Sequence, residues 1–148
     1  MSMFTAFNIN ASGLTAQRYR MDIISENVAN ANTTRTADGT PYRRKVVTFE
    51  EKAGGVEKVG AVFNKAKNNY CGNGVKVDAV TEDTWTEMNK VYDPSHPDAD
   101  ENGYVTYPNV NIITEMTNLI DASRAYEANS TAFNASKSIA QQALNMGK

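Results

Sequence analysis

From Asn111 to Met146 the chain reads NIITEMTNLIDASRAYEANSTAFNASKSIAQQALNM, and the spacing within this stretch decides the fold. Stepping by sevens from Ile112 gives Ile112, Leu119, Tyr126, Phe133 and Ala140; from Met116 it gives Met116, Ser123, Ser130, Lys137 and Leu144. Two rows offset in this way lie side by side on one face of an α-helix, so they predict a seam that packs lengthwise against other helices. No Pro or Gly interrupts the run from Asn109 to Met146, and Ala, Glu, Gln, Leu and Met supply helix propensity. At a rise of about 1.5 Å per residue the helix reaches roughly 50 Å, longer than a small domain is wide. Part of its stripe therefore falls outside its own globule. The second row also holds two serines and a lysine where a self-sufficient dimer carries leucine. The reading is a helix buried by neighbours, including neighbours from other chains.

A second amphipathic helix is expected over Phe4 to Val28. Phe7, Leu14, Met21 and Val28 recur by sevens, with Ala11 and Ile24 at alternate positions, while Gln17, Arg18, Arg20, Asp22 and Glu26 form the solvent side. Gly13 costs such a helix about 1 kcal/mol relative to Ala. Ser12 before it is a competent N-cap, so a helix regular only from Ser12 is the alternative. Asn27, Asn30 and Asn32 then lead into Thr33-Thr34, a helix stop and turn, since Asn competes for backbone hydrogen bonds and tolerates left-handed backbone. Their regular spacing leaves two readings open, a purely local turn or a share in capping and intersubunit hydrogen bonds.

Between the helices the texture is that of short strands. Tyr42 to Glu51, Val56 to Phe63, Val75 to Val80, Lys90 to Tyr92 and Tyr104 to Tyr107 are bounded by Gly-, Asn- and Pro-rich turns. The fold class expected is α+β: long N- and C-terminal helices paired as a coiled-coil-like inner domain, with a small β-rich insertion between them. Residues 1–34 would form the first helix and its Asn-rich turn, 35–108 the insertion with its Pro-rich connector, and 109–148 the second helix. Four or five short strands give a thin core, stable only against the helices or against partners.

Composition narrows the function. A formal net charge of −2 lacks the basic excess of a general nucleic-acid binder. Glu82 to Glu101 carries seven acidic residues against Lys90 alone, which reads as a solvated loop. Cys71 is the only cysteine, so neither an intrachain disulfide nor a Cys-cluster metal site is available. No apolar run approaches the length of a membrane span, and Met1-Ser2-Met3-Phe4 lacks the basic and apolar regions of a secretory signal.

The candidate chemistry is weak. Asp98, Asp100, Asn102 and Gly103 match positions one, three, five and six of a calcium-binding EF-hand loop. Position twelve is Asn109 in place of the bidentate Glu, and Pro108 stands where the exiting helix begins. His96, the single histidine, sits among Pro94 and Pro97, with no nucleophile elbow elsewhere in the chain. Gly72-Asn73-Gly74 lacks the third glycine of a phosphate-binding loop. The expectation is no enzyme, with no catalytic residue, no metal, no cofactor and no small-molecule substrate.

A resemblance adds to this reading. Gly13, then Ile23-Ile24-Ser25-Glu26-Asn27-Val28-Ala29-Asn30-Ala31-Asn32-Thr33, resembles the N-terminal signature of the flagellar basal-body rod proteins. The segments Tyr92 to Asp100, Gly103-Tyr104-Val105 and Pro108-Asn109-Val110-Asn111, followed by Glu115-Met116 and Ala122 to Asn129, resemble the proximal rod members of that family. Tyr42-Arg43-Arg44 follows the expected turn, whereas Thr84 to Asn89 departs from the Ser-Pro-Arg-like run of the family. The resemblance implies a structural subunit that stacks helically into a torque-transmitting tube and leaves the cell by the flagellar type III export apparatus without a cleaved signal. Implied partners are other rod subunits and the membrane-ring and hook-basal-body proteins, and the implied location is the basal body. The assembly surface would comprise Phe7, Leu14, Met21, Ile24, Asn27, Val28, Asn30 and Asn32 on the first helix. On the second it would comprise Ile112, Met116, Leu119, Tyr126, Phe133 and Leu144. Apolar seams satisfied only by neighbours also imply a free monomer with partly ordered ends. The rival reading is a small cytoplasmic adaptor or export chaperone whose helices close into a compact hairpin.

Overall fold

The structure, a computed structural model, describes residues 3–52 and 72–146. Along the chain come α1 (Met3–Ala29), β1 (Lys45–Glu51), β2 (Val75–Glu82), β3 (Asn89–Tyr92), β4 (Tyr104–Tyr107) and α2 (Ile112–Met146). The strand expected at Val56 to Phe63, and Cys71, lie outside the described residues.

The two helices run antiparallel and pack along one another. Near one end the ring of Phe7 meets that of Phe133 edge-on, with centroids 5.1 Å apart; at the other, Asn27 bonds Glu115. Asn111 caps α2, its Oδ1 accepting from the N–H groups of Ile113 and Thr114 at 3.0 and 3.3 Å. Helix α1 ends where the Asn30 side chain donates to the carbonyl of Glu26 and Asn30 Oδ1 accepts from the Thr33 hydroxyl.

Helix α1 is continuous through Gly13, so the start at Ser12 does not occur. Ser12 Oγ instead donates to the Ile9 carbonyl and accepts from the N–H of Val75 at 3.1 Å, tying β2 to the helix. Gly13 has a packing reason. A Cβ built there would lie 2.8 Å from Oδ1 of Asn129 on α2, whose Nδ2 already donates to the Ala125 carbonyl. In a free helix Gly13→Ala would gain about 1 kcal/mol. Here it is expected to lower the thermal unfolding midpoint, because the added methyl pushes Asn129 off its bond. A midpoint that rises in a calorimetric scan would show the approach to be slack.

Among the described residues the strands form two separate antiparallel pairs, β1 with β2 and β3 with β4, and no single sheet joins them. Pairing of β1 with β2 shifts register between Thr48 and Phe49, a bulge that bends the ribbon. Alternation along β2 turns Val75, Val77 and Ala79 inward and Lys76, Asp78 and Val80 outward. Gly74 precedes it with φ of 95°, and a Cβ there would fall 2.2 Å from Ser12 Oγ. The β3–β4 hairpin encloses the Pro-rich loop. Asp98 of that loop accepts from the Thr34 hydroxyl at 2.8 Å and faces Arg35 at 3.7 Å, which fastens the loop to the segment after α1. The His96 Nδ1 accepts from the Asp98 N–H. The core is thin and centres on Ala31, Tyr42 and Val110.

Candidate assembly interface

Where the end of α1, the start of β1 and the start of α2 converge, the chain buries a polar group of unusual completeness. Asn27 and Glu115 are each only 1% exposed. Asn27 Nδ2 donates to the Lys45 carbonyl at 2.8 Å and to Glu115 Oε2 at 3.0 Å. Its Oδ1 accepts from the Tyr42 hydroxyl at 2.8 Å and from the Lys45 N–H at 2.9 Å. All four hydrogen-bonding positions of the amide are filled inside the chain. Arg44 brings its Nε and Nη2 to within 2.9 and 2.8 Å of Glu115 Oε1 and sets Nη1 3.6 Å from Asp83. Asn109 closes the other side, accepting from the Arg44 N–H at 2.9 Å and donating to the carbonyls of Asp83 and Thr86.

Electrostatics follow from this crowding. Burial, with Glu26, Glu115 and Glu82 nearby, pushes the Tyr42 hydroxyl up to about 12, so it stays a donor to Asn27 at any physiological pH. The Thr86 hydroxyl and the backbone N–H groups beside it hold the Asp83 carboxyl below its usual range. Such a cluster fixes geometry. Among the described residues no group of His, Cys, Asp and Glu is placed to hold a metal ion.

The expected assembly residues differ in how far the chain itself covers them. Phe7, Ile24, Asn27, Leu119 and Phe133 lie between the helices of one chain or within the polar cluster. Leu14, Met21 and Val28 are half-buried along α1; Asn30 makes only local bonds, and Asn32 is exposed. Ile112, Met116, Tyr126 and Leu144 face outward. The side chain of Asn27, expected at an interface between subunits, has its hydrogen-bonding positions filled within the chain. On α2 the Met116 row is not the one packed against α1. The row beside Leu119 and Phe133 that meets α1 runs Glu115, Ala122, Asn129, Ser136, one residue before the row starting at Met116. Small and polar residues fill it because α1 approaches closely at Gly13 and Ala16.

This packing leaves an apolar stripe on the outer side of α2. Ile113, Met116 and Ile120 recur at spacings of three and four and are 78%, 55% and 51% exposed. Scattered apolar residues are ordinary on a surface, but three aligned on one helix face form a patch suited to association. Farther along, Ile139, Leu144 and Met146 are also exposed. No described helix is long and apolar enough to cross a membrane.

Two family patterns match this architecture. Residues 7–35, covering most of α1 and its Asn-rich turn, match the family described as flagella basal body rod protein. Residues 101–146, from β4 through α2, match the C-terminal region of the flagellar basal body rod FlgEFG proteins. Paired terminal helices carrying both patterns define the class of flagellar rod proteins. The chain is 45% identical to the flagellar basal-body rod protein FlgC of Bacillus subtilis, over 100% of both chains. It is also 45% identical to that of Borreliella burgdorferi over 97% of each, and 38% identical to that of Salmonella typhimurium over 100% of each. The chain belongs to the FlgC family of flagellar basal-body rod proteins.

Proposed function

We propose that this chain is a structural, non-catalytic subunit of the flagellar basal-body rod, in which residues 1–34 and 109–148 form an inner helical layer and 35–108 an insertion outside it. The observation that carries the reading is the outward stripe of Ile113, Met116 and Ile120, left open after α1 and α2 have satisfied each other. Burying three such side chains contributes about 1.5–3 kcal/mol each, enough in sum to drive stacking of subunits once neighbours are present. Other rod subunits, together with ring and hook-basal-body proteins, are the partners of this stripe, and the subunit reaches them through the flagellar type III export apparatus. The polar cluster supports a mechanical role, since buried, fully satisfied hydrogen bonds resist the shear a rotating shaft imposes.

An epitope-tagged chain expressed in cells lacking the native gene tests this. It is expected to restore swimming and to co-purify with detergent-extracted basal bodies in a salt-resistant fraction. A tagged chain that restores swimming yet stays in the cytoplasmic fraction as a monomer or dimer would overturn the reading in favour of an adaptor or export chaperone.

A further inference from the structure

The two helices meet differently at their two ends. Near Phe7 and Phe133 the contact is aromatic. Near Asn27 and Glu115 the helices bury an amide and a carboxylate, and most partners of both come from residues 42–45. We propose that Asn27 and Glu115 form an interlock that makes closure of the helix pair at this end conditional on the seating of residues 42–45, and hence of strand β1, between them.

With that segment lifted away, Asn27 loses the Tyr42 hydroxyl and both backbone groups of Lys45. Glu115 loses the Arg44 guanidinium and keeps only Asn27 and a long 3.4 Å contact from the Asn118 side chain. A buried carboxylate stripped of its cation, beside a half-satisfied amide, is more stable hydrated, so the helices part there and water enters. The dependence runs both ways. Lys45 is gripped through its N–H and carbonyl by Asn27, and the Arg44 N–H by Asn109, so an open helix pair also releases the start of β1. The two helix ends and β1 therefore open as one cooperative unit, although 71 residues separate Arg44 from Glu115 in sequence.

Native-state hydrogen exchange on the full chain tests the interlock. In the parent chain the amides of residues 24–29, of 115–122 and of β1 should be protected and share a common opening. Arg44→Met should lower protection at all three sites together, on the order of 100-fold, because it strands Glu115. Arg44→Met combined with Glu115→Leu removes the stranded charge. In that double variant the helix amides should regain protection while β1 remains the more open, so the two become uncoupled. The double variant carries the test even if the single one fails to fold. Loss of protection confined to β1 in Arg44→Met would overturn the proposal. So would a double variant as unprotected at the helices as the single, or parent amides at 24–29 no better protected than those at 5–10.

Discussion

A chain carrying Met116→Asp together with Ile120→Asp is expected to melt at nearly the parental temperature and to be absent from assembled rods. Both side chains are more than half exposed, so each substitution costs little packing within the subunit. At an interface each removes about 1.5–3 kcal/mol of apolar burial and adds a carboxylate that must be desolvated. The two together weaken association by a factor on the order of 1,000 or more, since each 1.4 kcal/mol is tenfold. Leu119→Asp makes the comparison informative. Leu119 is half-buried beside the row that faces α1, so this variant should lose folding stability as well as assembly. The measurements are circular-dichroism melts of purified subunits and swimming in soft agar with the variants as sole copies. Normal swimming with the double variant would remove the stripe as an assembly surface, and unfolding by it would show that the stripe belongs to the subunit's own core.

Much of this architecture is legible in the residues, and the part that is not has a definite cause. The length of α2 follows from the unbroken run after Asn109, whereas its start three residues later is set by the Asn111 cap. Turn residues bracket β2, β3 and β4 closely enough to place them within two residues. Hydrophobic periodicity does not find the row that meets α1. It selects Met116 because Met is apolar, whereas the row against α1 carries Glu115, Ala122, Asn129 and Ser136, which are charged, small or polar. Periodicity assumes that apolar means inward, and here close approach at Gly13 and a buried ion pair reverse that assumption locally. The polar cluster is invisible for another reason. The partners of Asn27 lie between 15 and 88 residues from it, and no local pattern couples an Asn at the end of one helix to a Glu in the first turns of another. A signal was present nonetheless. Asn27, Arg44, Asn109 and Glu115 all fall in the stretches that carry the family resemblance, and each is polar where an apolar residue would serve packing equally well.

Asn27→Ala is expected to be the most damaging single truncation on α1. It deletes one partner from each of four buried groups: the Tyr42 hydroxyl, the Lys45 N–H, the Lys45 carbonyl and the Glu115 carboxylate. Leaving a buried donor or acceptor unpaired costs about 1–3 kcal/mol, and Glu115 keeps Arg44 while the freed space admits some water. The net loss should then be roughly 3 kcal/mol, which lowers the unfolding midpoint of a chain this size by about 10 °C. Asn30→Ala is the control. Asn30 bonds only the Glu26 carbonyl and the Thr33 hydroxyl beside it, so its loss should cost less than about 1 kcal/mol, as for a local turn or cap. Urea titrations of both variants decide the matter, with an unchanged slope confirming that the midpoint shift is one of stability. Equal losses at the two positions would mean that Asn27 is only another turn residue. A loss several times larger at Asn27 would mark it as the residue through which the end of α1, the start of β1 and the start of α2 are held in one geometry.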